Sequence, residues 1–212
     1  MKLGYIKSSM RPSYITYDRV MARWDPDAHG RLLAAALDLF AEQGYEQTTT
    51  AQIAQRAGLT RTTLFRLFKD KREILFQGQG ALIDAAVEGI RDAPEEALPV
   101  EVLKAGITAM ARVHSVGQQE VGKRLMRLLV SSPELQERAA FKRSSITEAI
   151  EDQLSARLGD ARLAGILADV GVRSYYAAYE AWTTLSSDDS LIDLILNELS
   201  GYRAVLRSDQ WS

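Results

Sequence analysis

Apolar residues recur at spacings of three and four along almost the whole chain, and the alternation that a strand requires is scarce. Five prolines, at positions 12, 26, 94, 99 and 133, all fall where a helical stripe starts or stops. Asp25-Pro26 opens a first helix whose stripe of Leu33, Leu37, Phe40 and Ala41 ends at Gly44. Gln47-Thr48-Thr49-Thr50 supplies capping side chains for a short second helix over 51–57, with Ile53, Ala54 and Ala57 inward and Gly58 as its stop. Leu59-Thr60 restarts the chain for a third helix over 61–68. After Asp70-Lys71-Arg72-Glu73 one longer helix is expected to about 91, and 92–99, with two prolines, reads as a surface loop. Further helices are expected at about 100–116, 118–131, 133–158, 160–186 and 189–207. The expected fold class is all-α, an N-terminal three-helix unit followed by a larger helical bundle.

Two short helices joined by a turn with glycine make the layout of a helix-turn-helix. Residues 52–68 are too few for a core of their own, so the pair must pack on the first helix. Charge supports a division along the chain. The net charge is −2, yet residues 1–72 carry twelve Lys/Arg against seven Asp/Glu, and the remainder fourteen against twenty-one. Residues 56–72 hold six cations and one acid, Asp70. A basic N-terminal third joined to an acidic remainder suits one part that meets a polyanion and one that does not. The chain has no Cys and only two His, His29 and His114. Thiolate chemistry is therefore excluded, and neither a metal nor a cofactor is expected. Acid pairs such as Glu95-Glu96 and Glu151-Asp152 lack a His or Cys partner, and no glycine-rich phosphate loop is present, so an enzyme is not expected.

A helix is about as wide as the major groove, so an exposed helical face can reach base edges there. In the third helix Leu64, Phe65 and Phe68 are expected inward, leaving Arg61, Thr62, Thr63 and Arg66 for the groove, with Thr60 just ahead of them. Arg61 lies in the first turn and can pair bidentately with guanine, while the threonine methyls can meet thymine. Lys69, Lys71 and Arg72 suit phosphate, which gives affinity without sequence preference.

The stretch 34–75, with Leu39-Phe40, Gly44-Tyr45, Thr48-Thr49, Ile53-Ala54, Ala57-Gly58, Leu64-Phe65, Phe68 and Lys71, resembles the N-terminal domain of tetracycline-repressor (TetR) family regulators. The resemblance implies a homodimer with two DNA-reading and two ligand-binding domains. It further implies that Arg61, Thr62 and Thr63 face bases, that Phe65 and Lys71 face phosphates, and that Thr49 caps the second helix near the DNA backbone. Three positions depart from the family pattern. Phe65 stands where a tyrosine usually bonds a phosphate, Leu67 where a polar residue is common, and Ala51 where an arginine often reaches the backbone. Each lost hydrogen bond is worth about 1 kcal/mol.

The expected domains are a basic extension over 1–20, a DNA-binding unit over 21–72 and a ligand-binding and dimerisation domain over 73–212. The extension carries four cations, one acid and three tyrosines; it reads as an arm for phosphate, as a tail, or as sequence ahead of a true start at Met21. Candidate walls of an effector pocket are Leu82, Met110, His114, Leu128, Phe141, Tyr175 and Tyr179, which point to a mostly apolar effector. The last two helices, about 160–207, carry wide apolar stripes (Val172, Tyr175, Tyr176, Tyr179, Trp182 and Leu185, then Leu191, Leu194, Ile195, Leu199, Tyr202 and Leu206) and are expected to pair two protomers. The expected function is a ligand-responsive regulator, a repressor on an operator in double-stranded DNA. The rival reading is a helical ligand carrier or adaptor with a vestigial DNA-binding unit. No stretch has the length of a membrane span and no export signal is seen, so the cytoplasm is the expected location.

Overall fold

The computed structural model describes residues 27–115, 117–184 and 189–206, with side chains to Tyr202. The extension over 1–20, Met21, the Asp25-Pro26 opening and Leu185 lie outside the described residues, as does the side chain of Leu206. The chain is all-α: α1 Ala28–Gln43, α2 Thr50–Arg56, α3 Arg61–Leu67, α4 Lys71–Leu75, α5 Gln79–Arg91, α6 Pro99–Arg112, α7 Gln118–Ser131, α8 Pro133–Leu158, α9 Ala161–Thr184 and α10 Leu191–Leu206. Among the described residues there is no strand.

Pro99 and Pro133 each occupy the first turn of their helix, where the missing N–H costs nothing. The single helix expected over 73–91 is two. Asp70 caps α4 by accepting the Arg72 and Glu73 N–H groups at 2.8 and 3.1 Å, and the chain turns at 76–78 before α5 begins. Gly78 and Gly80 weaken a continuous helix there. The break frees Gln77 to reach α1, where its amide donates to the His29 carbonyl oxygen at 3.3 Å. α6 also ends earlier than expected, at Arg112, because Val113 and His114 tighten the last turn with bonds to the carbonyls of Met110 and Ala111.

Apolar residues gather into two clusters. The first takes Leu32, Ala36, Leu39 and Phe40 from α1, Ile53 and Ala54 from α2, Leu64 and Phe68 from α3 and its exit, and Ile74 and Leu75 from α4. The inward face of α1 is therefore rotated from the expected stripe: Leu37 and Phe40 are buried, Leu33 is half-buried and Ala41 is exposed. The second cluster joins α5, α6, α8, α9 and α10 through Ile90, Leu103, Ile107, Ile150, Val172 and Ile195, among others.

One side chain belongs to the wrong cluster for its position in the chain. Leu135, in the first turn of α8, is fully buried among the residues of α1–α4, with Val121, Leu125, Leu128 and Leu129 of α7 packed beside it. The N-terminal unit thus lacks a complete core without the corner between α7 and α8. Replacing Leu135 with Ala should lower stability by about 2–5 kcal/mol in denaturant unfolding. Val130→Ala, on the same corner but 78% exposed, should change it by less than about 0.5 kcal/mol.

Candidate nucleic-acid interface and effector cluster

The turn between α2 and α3 is closed by the backbone itself. Leu59 N–H donates to the Ala54 carbonyl at 2.8 Å and Gly58 N–H to that of Gln55 at 3.0 Å, a Schellman motif that ends α2. Gly58 has φ +68°, the left-handed conformation such a turn requires and L side chains rarely adopt. Both helix starts are capped by threonine. Thr49 accepts from Gln52 N–H at 3.3 Å while the Gln52 amide oxygen accepts the Thr49 N–H at 2.8 Å, a reciprocal capping box. Thr60 accepts from Thr63 N–H at 3.1 Å, and their hydroxyls share a further bond of 2.9 Å.

These caps place Arg61 and Thr62 on the first turn of α3, both exposed, with Thr63 half-buried and Arg66 exposed one turn on. Phe65 is not inward. It is 48% exposed, whereas Leu64 and Phe68 are buried in the N-terminal cluster, and Leu64 is the one buried residue of α3.

The six cations of residues 56–72 divide into two groups. Arg56 is clamped bidentately by Glu42 at 2.7 and 2.8 Å, an arrangement that holds the Glu42 carboxyl below its usual range. Arg72 pairs with Asp70 at 2.7 Å and Glu134 at 3.2 Å. The Lys71 ammonium donates to the carbonyls of Tyr45 at 2.6 Å and Thr48 at 3.1 Å and lies 4.0 Å from the centre of the Tyr45 ring. It thereby braces the α1–α2 turn that presents Thr49. Among the described residues Arg61, Arg66 and Lys69 make no ion pair, and all three are exposed.

The N-terminal unit is tied to the bundle by charge as well as by Leu135. Glu73, at the middle of α4, accepts from Arg138 and from Lys142 at 3.2 Å, both on α8. Arg124 on α7 meets Asp38 on α1 at 2.5 Å. Tyr45 donates its hydroxyl to Glu134 at 3.4 Å, and burial first, then the Glu134 charge, pushes its pKa far up. These links were not foreseen, although Glu134, Arg138 and Lys142 recur every four residues and so mark one face of α8. A double-mutant cycle on Glu73 and Arg138 should give a coupling of about 1 kcal/mol that shrinks as salt rises.

Four of the seven candidate pocket residues cluster. Met110, His114, Tyr175 and Tyr179 lie at the junction of α6 and α9. His114 Nε2 shares a 2.6 Å hydrogen bond with the Tyr175 hydroxyl, and the Tyr179 and Trp182 rings stand 5.2 and 6.1 Å from the imidazole. Gly122 on α7 lets this cluster approach: a Cβ there would lie 2.6 Å from the Tyr179 hydroxyl oxygen. Leu82 packs on the edge of the same core. Leu128 packs on the N-terminal cluster instead, and Phe141 is 59% exposed beneath the Arg138 guanidinium. Two open clefts, of about 480 Å³ between α4 and α8 and about 540 Å³ along α7–α9, are lined by none of the seven.

Burial holds the His114 pKa below its ordinary 6.5 and pushes those of Tyr175 and Tyr179 up, Tyr179 to about 12. A histidine with a depressed folded pKa takes up its proton more readily unfolded. Its contribution to stability is complete above about pH 6.5 and is lost as pH falls toward the folded value. His114→Gln should remove that part of the acid slope, seen as a smaller difference between urea midpoints at about pH 7.5 and about pH 5.5.

Residues 32–77 match the sequence profile of bacterial regulatory proteins of the tetR family. An HTH-type transcriptional regulator of uncharacterised role from Mycobacterium tuberculosis (strain ATCC 25618 / H37Rv) is 25% identical over 186 residues, 83% of this chain and 94% of its own. SmeT, the repressor of the Stenotrophomonas maltophilia multidrug efflux pump SmeDEF, has a similar fold, with a TM-score of 0.54 at 20% identity over 84% of this chain and 89% of its own. The transcriptional regulator FadR from Bacillus subtilis, solved in complex with stearoyl-CoA, aligns with a TM-score of 0.50 at 20% identity, over 81% and 96%.

Proposed function

We propose that this chain, whose residues 32–77 match the tetR family of bacterial regulatory proteins, is a homodimeric repressor, released from a palindromic operator by a small, mostly apolar effector. The observation that carries the reading is α3 itself. A capped helix, set by a Schellman turn against α2, presents Arg61 and Arg66, with Lys69 at its exit, all exposed and without ion pairs among the described residues. Arg61, Thr62 and Thr63 would read bases, while Thr49, Thr60, Arg66 and Lys69 would fix the register on the DNA backbone, with Lys71 bracing the turn that presents Thr49 and Phe65 standing beside Arg61. Such a helix belongs to a regulator acting where operators are, in the cytoplasm. The carrier or adaptor reading is not favoured, since a vestigial unit has no reason to keep two caps, a bidentate clamp and a braced turn.

Residues 21–72 would then form the DNA-binding domain and 73–212 the effector and dimer domain. The effector site would lie at Met110, His114, Tyr175 and Tyr179, a reading supported by an apolar wall that carries one hydrogen-bonding pair, His114 with Tyr175. The stearoyl-CoA held by the FadR of Bacillus subtilis, a protein of similar fold, supports an amphipathic effector with a long apolar part. The inward stripes of α9 and α10 are used by this chain's own core, through Val172, Tyr175 and Trp182 on one and Leu191, Ile195 and Leu199 on the other. A dimer through these helices would use their outer faces, where Ile166 stands 54% exposed.

Selection from a random duplex pool by the purified protein should yield a palindrome with half-sites about 34–36 Å apart. Arg61→Ala should weaken operator binding by about 1–3 kcal/mol and flatten the preference at one base pair of each half-site. An equal loss on every sequence would assign Arg61 to phosphate instead.

A further inference from the structure

Phe65 is a large apolar side chain left 48% exposed on a helix that buries Leu64 fully. Its place is not explained by the core, nor by a phosphate bond, for which it has no hydroxyl. What meets its ring is Arg61, one turn earlier, with the guanidinium carbon 5.9 Å from the ring centre. Residues four apart on a helix are neighbours on one face, so this contact is built into the spacing. We propose that Phe65 is a positioning residue for Arg61, holding the guanidinium over the exposed face of α3 in the pose from which it reads a base. The inference rests on the reading of α3 as the helix that enters the groove.

The physical argument concerns which part of the guanidinium is used. The ring attracts the cation through its π-electrons and offers no oxygen or nitrogen acceptor, so the five guanidinium N–H donors stay available for guanine O6 and N7. The backbone of the first turn is already fixed, since Thr60 caps it through Thr63. The freedom that remains on binding is the long Arg61 side chain, and restraining it beforehand lowers the entropy cost of forming a directional pair. A phosphate contact, which tolerates many side-chain poses, gains little from the same restraint. The effect of Phe65 therefore falls on sequence preference rather than on affinity for DNA at large.

The test compares the full-length protein with Phe65→Leu, which keeps apolar bulk, and Phe65→Tyr, which keeps the ring. Each competes for duplexes altered one base pair at a time within the sequence that the unaltered protein selects. Phe65→Leu should lower the preference about two- to fivefold at the base pair where Arg61→Ala flattens it, the ratio expected of an exposed cation–π contact. Preference at other positions and the salt dependence of Phe65→Leu should be unchanged, Phe65→Tyr should keep the unaltered protein's base preference whatever affinity its hydroxyl adds at a phosphate, and Phe65→Leu should add nothing when Arg61 is already Ala. An equal loss at every position, a loss at a different base pair, or full additivity in the double variant would overturn the proposal. Should the unaltered protein select no sequence, the reading of α3 fails. Should it select one that Arg61→Ala leaves intact, only this inference fails.

Discussion

The rest of the structure depends on the burial of Leu135 in a core otherwise built from α1–α4. A unit of about fifty residues cannot bury much of its own surface, and here its core is closed by the α7–α8 corner. Leu135 sits three residues after Ser132, whose hydroxyl is buried without a hydrogen-bond partner among the described residues. An unsatisfied polar group in a buried corner is tolerated only where the surrounding packing outweighs it. Around that corner the charges are arranged across the joint: Asp38 with Arg124, Glu73 with Arg138 and Lys142, Arg72 with Glu134. Partly exposed pairs add little energy individually. Their use is directional, because they tie α1 to α7 and α4 to α8, and α7 and α8 are the two helices that meet at the corner.

That joint also decides what the basic run can do. Counted along the chain, residues 56–72 look like one patch of six charges. In space Arg56 and Arg72 are neutralised by carboxylates, and the Lys71 ammonium is engaged by backbone carbonyls. The three cations that face outward, Arg61, Arg66 and Lys69, all belong to α3 or its immediate exit. A polyanion therefore meets a field concentrated on one short helix and its exit, while the internal pairs tie α2 to α1 and brace the start of α4 on either side of that helix.

Most of this architecture was legible in the chain because helices announce themselves by period and punctuation. Pro99 and Pro133 mark their first turns, Gly44 and Gly58 their ends, and Thr49 and Thr60 their caps, and each acts within a few residues of its place in sequence. The errors came where a choice depends on distant partners. Phe65 was expected inward on apolar character alone, but the space against α1 is filled by Leu64 and Phe68. The break at 76–78, where Gly78 and Gly80 weaken a helix locally, is fixed by the bond from Gln77 to the His29 carbonyl, 48 residues away. Leu128 and Phe141 satisfied the composition of a pocket, yet one packs on the N-terminal core and the other lies beneath Arg138 at the surface. His114 could be singled out as a lone imidazole among apolar neighbours. Its bond to Tyr175, 61 residues away, could not.

The two ends of the molecule share α7, and the way they share it limits how they can influence each other. On one side Arg124 holds Asp38 of α1, and Leu125, Leu128 and Leu129 pack on the N-terminal core. On the other, Gln119 donates to the Trp182 carbonyl at 2.6 Å, and Gly122 faces the Tyr179 hydroxyl and the Thr183 methyl so closely that a Cβ there would have to displace them. Packed interiors transmit displacement because they have no slack to absorb it. Tyr179 therefore cannot move toward α7 without moving the helix that carries Arg124. A molecule seated against His114 and Tyr175 biases DNA binding only if it binds one position of α7 better than another.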